Sequence, residues 1–230
     1  IAPAKALVIS DLHIGYEEAL NRKGILIPRK QFPETMQRLE KIITTLKKEE
    51  KKEIKEIIIN GDLKHEFGRI SETEWRHALR LIDTLQKECK KITLLKGNHD
   101  TVLKPIAEKR MHVQLVEHIQ FWDTLILHGD TVPKQGITKD ISTIIIGHEH
   151  CAITLRQWPR AEKFKCFIKG KYKRKTLIAM PSFNLLHEGT DVLKEKLMSP
   201  FLQQNLNNFT AYIVSDKEVL EFGKLKNLLR

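Results

Sequence analysis

Five short apolar runs, each followed at once by a cluster of Gly, Asp, Asn or His, limit most strongly what this chain can fold into. Each run has four or five residues, mostly Ile, Leu, Val or Thr, which is typical of strands buried on both faces of a sheet. The runs with their polar ends are residues 6–13, 57–62, 92–100, 124–130 and 143–150. The series predicts several strands that all end in groups able to do chemistry.

Apolar residues at helical spacing separate the early runs. One such stripe extends from Met36 to Leu46. A second begins with a capping box, in which Ser71 is followed three residues later by Glu74, and continues from Trp75 to Cys89. Alternating strands and helices indicate crossover connections and a largely parallel sheet. Ligands of such sheets bind beyond the carboxyl ends of the strands, which is where all five polar clusters fall.

The pattern changes after residue 150. Residues 165–180 favour a hairpin that turns near Gly170, and residues 212–222 favour another that turns at residues 215–218. We interpret both hairpins as parts of a second sheet. The prediction is a single domain over residues 1–230, in which 1–150 carry the site and 151–230 complete the second sheet and the C-terminal hairpin.

The composition argues against a membrane protein and a disulfide-rich protein, and its net charge points to a class of partner. No apolar run approaches the length of about 18 residues that spans a membrane, and no signal peptide is visible, although the chain begins with Ile1. The three cysteines form no CxxC pair, which argues against a disulfide framework and fits a cytoplasmic protein. The formal net charge of +11 favours a polyanionic partner such as nucleic acid, with genome bias or heat adaptation as the alternative.

The polar clusters together supply seven nitrogen or oxygen donors and no thiolate. These candidate metal ligands are Asp11, His13, Asp62, Asn98, His128, His148 and His150. Seven donors suffice for two divalent cations if one carboxylate bridges them, and two such ions about 3.5–4 Å apart can clamp a phosphoryl group. The mixture of imidazole and oxygen favours Mn²⁺ over Mg²⁺, with Fe, Zn and Co as alternatives.

The five clusters in this order resemble the full signature of the calcineurin-like metallophosphoesterases. Residues 11–17, 60–67 and 189–192 resemble more narrowly the ICC-like phosphoesterases of archaea and bacteria, among which is a ligase-associated, manganese-dependent DNA endonuclease. One departure is Cys151, at a position where that family's pattern has proline. The resemblance implies an α/β fold, a four-layer α/β/β/α sandwich with two mixed sheets flanked by helices.

The resemblance also implies a role for each candidate ligand. The first ion would be held by Asp11, His13 and His150, the second by Asn98, His128 and His148, with Asp62 as the bridge. A hydroxide between the ions would attack phosphorus in line. His99, beside Asn98, is the candidate general acid, and Asp100 could orient it. His65 could face the phosphate or tie down its own loop.

The substrate has to be inferred from other parts of the chain. Residues 163–175 hold seven cationic side chains and three aromatic ones, which fits either single-stranded nucleic acid or a solvent-facing hairpin. Within this run we select Lys171, Lys173 and Lys175 as candidate substrate contacts. The leading hypothesis is a DNA endonuclease that acts on single strands in nucleic-acid repair, together with partners such as a ligase or helicase. The alternatives are a phosphodiesterase for cyclic or small nucleotides and a non-catalytic scaffold, and the complete ligand set argues against the scaffold.

Overall fold

The computed structural model describes residues 1, 4–49, 51, 53–215 and 218–228. Within it the chain divides into two compact units. The first comprises Ile1–Glu117 and Phe183–Leu186, and the second comprises His118–Ser182 and His187–Arg230. The division falls at residue 118 and not at residue 150, because the strands that carry His128 and His148 belong to the second sheet. That the two units act as one domain stays a prediction.

The sheet of the first unit has four strands in the order β1-β2-β3-β4. They are β1 (Ala6–Ser10), β2 (Glu56–Asn60), β3 (Lys91–Leu95) and β4 (Val113–Val116). All neighbouring pairs are parallel, and Ser10, Asn60 and Leu95 lie side by side at the carboxyl ends of the first three strands. The predicted parallel core is confirmed. The expected mixed pairing is absent from this sheet as described, because every connection between its strands is a crossover.

Four α-helices belong to the described part of the first unit. They are α1 (Tyr16–Arg22), α2 (Gln31–Thr44), α3 (Glu72–Glu88) and α4 (Lys104–Ala107). The two predicted apolar stripes are confirmed, since α2 buries Leu39 and Ile43 while α3 buries Ala78 and Ile82. Truncating a fully buried side chain such as Ile82 to Ala is expected to cost about 2–5 kcal/mol.

The second unit contains a sheet in the order β11-β8-β9-β10-β7-β6-β5, with β12 pairing with both β9 and β13. Its strands are β5 (His118–Phe121), β6 (Thr124–Leu127), β7 (Thr143–Ile146), β8 (Cys151–Gln157), β9 (Arg160–Tyr172), β10 (Lys175–Ala179), β11 (Thr190–Asp191), β12 (Thr210–Val214) and β13 (Val219–Lys224). A single 3₁₀ turn, Leu225–Asn227, follows. The pairs β6–β7, β7–β10 and β8–β11 are parallel and the others antiparallel, so this sheet is mixed as predicted.

Irregular chain covers one face of the second sheet. Phe201 and Leu202 are completely buried and pack with sheet residues such as Ile144 and Ile168. In the described part of this unit, loop residues therefore contribute to the apolar core on this sheet. The overall class, a mixed α/β chain with two sheets and flanking helices, agrees with the prediction.

The hairpin predicted over residues 165–180 is present, but its turn is not at Gly170. That residue lies inside β9 and pairs with Leu177 of β10, and the turn comes at residues 173–174. The ring of Phe209 explains the glycine, because a Cβ at position 170 would collide with it. The second predicted hairpin is confirmed by β12 and β13. Its turn residues 216 and 217 lie outside the described residues.

In the described part of the chain, no helix combines the length and the apolar character needed to cross a bilayer.

Candidate metal centre

The loops after β1 and β2 bring three predicted ligands together in the first unit. His13 N donates to the carbonyl oxygen of Asp62 at 2.8 Å. The candidate ligand atoms of Asp11, His13 and Asp62 all lie within 4.8 Å of one another, and all three residues are buried. Two carboxylates and an imidazole this close and this buried are well placed to hold a divalent cation. The strand register produces the cluster, since the carboxyl ends of β1 and β2 are aligned.

The loop after β3 is fixed against Asp62. A Cβ at Gly97 would collide with the carboxylate and main chain of Asp62, so only glycine permits this approach. The main-chain N–H of His99 donates to Asp62 Oδ1 at 2.9 Å. Asn98, the fourth predicted ligand of this unit, lies between these two anchoring residues.

In the second unit, the loops after β6 and β7 place two imidazoles side by side. Gly147 N donates to the carbonyl oxygen of His128 at 2.8 Å. The ring atoms His128 Nε2 and His148 Nδ1 are 3.2 Å apart. Two nitrogens each about 2.1 Å from one ion are separated by about 3.0–3.4 Å, so this pair fits ligation of a single ion. His150, which follows, contacts the ring of His187 edge to face at 4.9 Å between centroids.

Five of the seven predicted ligands have a left-handed backbone, a conformation that side chains other than glycine rarely adopt. The φ angles are 54° at Asp11, 45° at His13, 44° at Asp62, 65° at His148 and 52° at His150. Only ten described non-glycine residues share this property, so half of them fall on predicted ligands. Each left-handed residue costs about 1–2 kcal/mol, and such strain concentrates at functional sites. The backbone therefore favours assigning a binding role to these loops.

His99 lies close to the cluster of the first unit. Its Nδ1 contacts the carbonyl oxygen of His65, and its Nε2 is 4.0 Å from Asp62 Oδ2. Because a carbonyl can only accept, Nδ1 carries the proton of the neutral ring, and Nε2 is the atom that can exchange a proton with a substrate. The ring of Phe67 packs on His99 at 3.6 Å between centroids.

The hydrogen bonds described for Asp100 are made with main-chain amides. It was expected to orient the His99 imidazole, but its carboxylate accepts from the main-chain N–H groups of Leu63, Lys64 and Gly97. Burial, and next the negative charge of Asp62, raise the pKa of Asp100 to about 7. These amides belong to the loops that carry Asp62 and Asn98. The Asp100 side chain therefore stabilises both loops.

His65 contacts a predicted metal ligand, His13, and the aromatic ring of Tyr16. Its Nδ1 is 3.5 Å from Nδ1 of His13, and its ring meets that of Tyr16 at 4.6 Å. Burial, and next the proximity of His99, lower the pKa of His65 to about 4. The main chain of His65 is also anchored, because its N–H donates to Glu74 Oε1 at 2.9 Å. The loop-fixing interpretation of His65 is thus supported by contacts, while contact with phosphate stays a prediction.

The three candidate substrate lysines occupy the turn end of the β9–β10 hairpin. Lys171 Nζ donates to Thr176 Oγ1 at 3.1 Å, and Lys173 Nζ lies 5.5 Å from the centroid of the Tyr172 ring. Lys175 Nζ donates to the main-chain carbonyls of Thr138 at 2.7 Å and Ile141 at 2.5 Å. Lys175 is therefore a structural cation, and a role in substrate binding is better suited to the other two.

Three residues to which the sequence analysis gave no role at the site hold these loops. Lys64 is completely buried, and its Nζ donates to the carbonyl oxygen of His99 at 2.6 Å. Glu74 closes the predicted capping box of α3 and also receives the N–H groups of His65 and Glu66. His187 contacts His150, and burial, followed by repulsion from His150, lowers the pKa of His187 to about 4. Lys64 stands among the polar residues Asp62, His65 and Glu66, so its place in the sequence gave no signal that it is buried.

Comparison with known proteins identifies the family. The model of the calcineurin-like phosphoesterases matches residues 4–206, which is most of the chain. The chain belongs to the calcineurin-like phosphoesterase family. This family depends on two metal ions, so the protein is a metal-dependent phosphoesterase, and the clustered donors described above are consistent with that requirement.

Solved structures show how this phosphoesterase compares with others. The nuclease MPE of Pseudomonas putida has 16% sequence identity and a TM-score of 0.65, over 96% of this chain and 89% of that one. The phosphoesterase Yfce of E. coli has 12% identity and a TM-score of 0.45, over 95% and 98% of the two chains. The first of these likenesses establishes a shared fold. No curated protein matches the sequence significantly.

Proposed function

We propose that this phosphoesterase is a two-metal phosphodiesterase that cleaves DNA, with single strands as the preferred substrate and a role in repair. The observation that carries the proposal is the grouping of buried carboxylates and imidazoles on left-handed backbone at the strand ends. The net charge of +11 favours a polyanionic substrate. The fold shared with a nuclease of Pseudomonas putida agrees with this substrate class.

We assign the seven predicted ligands to two divalent ions. The ligands are Asp11, His13, Asp62 and Asn98 of the first unit and His128, His148 and His150 of the second. The donor set fits Mn²⁺, since carboxylate, carboxamide and imidazole are combined without any thiolate. Bound ions of this kind neutralise charge on a phosphoryl group and lower the pKa of water.

The chain itself supplies a proton and a rigid frame. His99 acts as an acid in its imidazolium form, in which Nδ1–H stays bonded to the His65 carbonyl while Nε2–H gives its proton to the departing sugar oxygen and leaves the neutral ring. Asp100 fixes the amides of Leu63, Lys64 and Gly97, so Asp62 and His99 keep their separation during the reaction. In this assignment His99 is the catalytic acid and Asp100 is a positioning residue.

The proposal is tested by stripping metals from the protein and restoring Mn²⁺, Mg²⁺ or Zn²⁺ separately. Hydrolysis of single-stranded DNA, duplex DNA, a cyclic nucleotide and a nitrophenyl diester is then compared. Preference for single-stranded DNA with Mn²⁺ supports the proposal. Preference for the cyclic nucleotide with no dependence on polymer length would replace it with a small-nucleotide phosphodiesterase.

The assignment of His99 has its own test. His99→Ala is expected to retain both metals and lose about 10²–10⁴-fold in rate on DNA, because general acid catalysis contributes that much. The loss should shrink for a nitrophenyl ester, whose leaving group needs no proton. A matched control is His112→Ala, which removes an exposed histidine of the same unit. Loss of metal in proportion to activity would make His99 a structural residue.

A further inference from the structure

A cavity of about 540 Å³ lies among α1, α2 and α3 in the first unit. Its cationic and aromatic lining residues are Arg29, Phe32, Arg76, His77 and Arg80, and we call it the arginine pocket. Its size is within the range of small-ligand sites. The three arginines are exposed, whereas Phe32 is buried and His77 is half-buried, so cations surround an aromatic floor.

The floor is a stacked pair of rings. Phe32 and His77 are parallel to within 9°, with centroids 4.1 Å apart. The guanidinium carbon of Arg80 lies 5.7 Å from the centroid of Phe32. A guanidinium held on a ring is partly ordered before any ligand arrives, which lowers the entropic cost of binding.

The acidic groups of the pocket do not neutralise these arginines. Glu17 Oε2 accepts from the main-chain N–H of Gln31 at 2.8 Å, and Glu18 pairs with Arg22 at 2.6 Å. Glu40 is the third carboxylate of the lining. Among the residues that the structure describes, no carboxylate forms an ion pair with any of the three arginines. Three cations in one pocket without such partners are available to an anion.

His77 is affected by both its burial and the neighbouring arginines. Burial is the largest cause that lowers the pKa of His77, and the charges of Arg76 and Arg80 follow. Glu18 acts in the opposite direction but does not reverse the effect. The neutral form of the His77 imidazole is therefore favoured at the floor of the pocket.

The pocket is bonded to the loop that carries His13. The side-chain amide of Gln31, at the start of α2, donates to the carbonyl oxygens of Leu12 and His13 at 3.3 and 2.8 Å. Phe32, the next residue, forms part of the pocket floor. The start of α2 thus contacts the His13 loop through Gln31 and the pocket through Phe32.

We propose that the arginine pocket is a phosphate-binding subsite that holds a backbone phosphate of the nucleic-acid strand away from the bond that is cleaved. Arginine suits this role because its planar donors match phosphate oxygens two at a time. The inference rests on the proposed function for the identity of the strand. The anion site itself depends only on the pocket.

The test compares two triple variants of the full chain. Arg29→Gln, Arg76→Gln and Arg80→Gln remove the pocket cations. Lys87→Gln, Lys90→Gln and Lys109→Gln remove the same charge from exposed positions outside the pocket and serve as the control. Thermal unfolding should show both variants folded, since all six side chains are exposed.

Two probes are titrated in EDTA, which prevents hydrolysis. They are an oligothymidylate of about ten nucleotides, within the site sizes of single-strand binders, and thymidine 5′-monophosphate. For the pocket variant, the slope of log affinity against log salt for the oligonucleotide should fall by about 0.7, because the pocket holds one phosphate and each neutralised phosphate of a single strand contributes about that much. In the wild type, the oligonucleotide should shift the NMR signals of His77, and in the pocket variant it should not.

The remaining outcomes separate the alternatives. An equal fall of the slope in both variants, or no shift at His77, overturns the pocket as a site. Monophosphate that binds at His77 as tightly as the oligonucleotide assigns the pocket to a free nucleotide and overturns the strand proposal. If the pattern is as expected but the Mn²⁺-loaded protein cleaves no DNA, the subsite stands and the proposed function fails.

Hydrolysis of a nitrophenyl diester should be unchanged in the pocket variant, since the pocket contains no predicted metal ligand.

Discussion

The ammonium group of Lys64 donates to the main-chain carbonyl oxygen of His99 at 2.6 Å, and no part of the Lys64 residue is exposed to solvent. The same Nζ bonds to the carbonyl of Glu66. Among described residues, no carboxylate forms an ion pair with this cation. A buried charge is costly unless its hydrogen bonds are satisfied, so this lysine is held by the two loops that it joins. We infer that Lys64 positions His99.

Replacing Lys64 by Met tests that role while keeping a similar volume. The change should lower the rate on DNA by about 10²-fold, because small displacements of a catalytic group cost this much. The loss should be smaller for a nitrophenyl ester, and metal content should not change. Lys64→Arg should restore part of the rate. An equal loss for all leaving groups would show that Lys64 acts through the metal loops and not through His99.

A second prediction compares two glycines that both lack space for a Cβ. Gly97→Ala would push against Asp62, whereas Gly170→Ala would push against Phe209 in the other unit. Both changes should lower thermal stability. Only Gly97→Ala should weaken metal binding, by about 10–100-fold, which is the effect of disturbing groups that orient ligands. Isothermal titration with Mn²⁺ measures the difference, and equal metal affinity in the two variants would contradict it.

The sequence was informative about the site because each strand end is marked by a change from apolar residues to Gly, Asp, Asn or His. Ser10, Asn60 and Leu95 are aligned by parallel pairing, so the polar residues after them had to converge. The capping box at Ser71 was visible for the same local reason. Each strand end and the capping box are marked by residues close together in the chain, so simple spacing rules describe them well, and convergence of the strand ends follows from the parallel pairing.

Other features depend on contacts between distant residues and could not be predicted. Gly170 looked like a turn residue, but the ring of Phe209 decides its role. The sequence suggested Asp100 as a partner of the His99 ring, but its carboxylate accepts hydrogen bonds from three main-chain amides. Neither contact can be predicted from the residues that are adjacent in the sequence.

The third prediction concerns the lysines of the β9–β10 hairpin. Lys175→Gln should lower the free energy of unfolding by about 1 kcal/mol, because two carbonyl hydrogen bonds are lost. Lys173→Gln, at an exposed position beside the Tyr172 ring, should change it by no more than about 0.5 kcal/mol. Chemical denaturation measures both values. If Lys173→Gln weakens DNA binding while leaving stability unchanged, the hairpin contributes to substrate binding. Unchanged binding would assign it to solubility.

The fourth prediction is a pH effect at Cys166. Burial raises the pKa of this thiol to about 12. The unfolded value is about 8.5, so the folded chain retains this proton more tightly, and stability from this group is lost as pH rises above the unfolded pKa. In a Cys89→Ala, Cys151→Ala variant, Cys166 should resist an alkylating reagent at about pH 8 until the protein unfolds. Rapid labelling of the native chain, followed by mass spectrometry, would refute the burial argument.

The contact between Gly170 and Phe209 also has a consequence for how the second sheet forms. Side chains alternate along β9, so Cys166 and Ile168 face the core while Lys169 and Lys171 face the other way. A slip of one residue during pairing with β10 would bring a lysine against Phe209 and turn the apolar side chains outward. The contact with Phe209 therefore favours the correct register, and Gly170→Lys should slow refolding and promote aggregation.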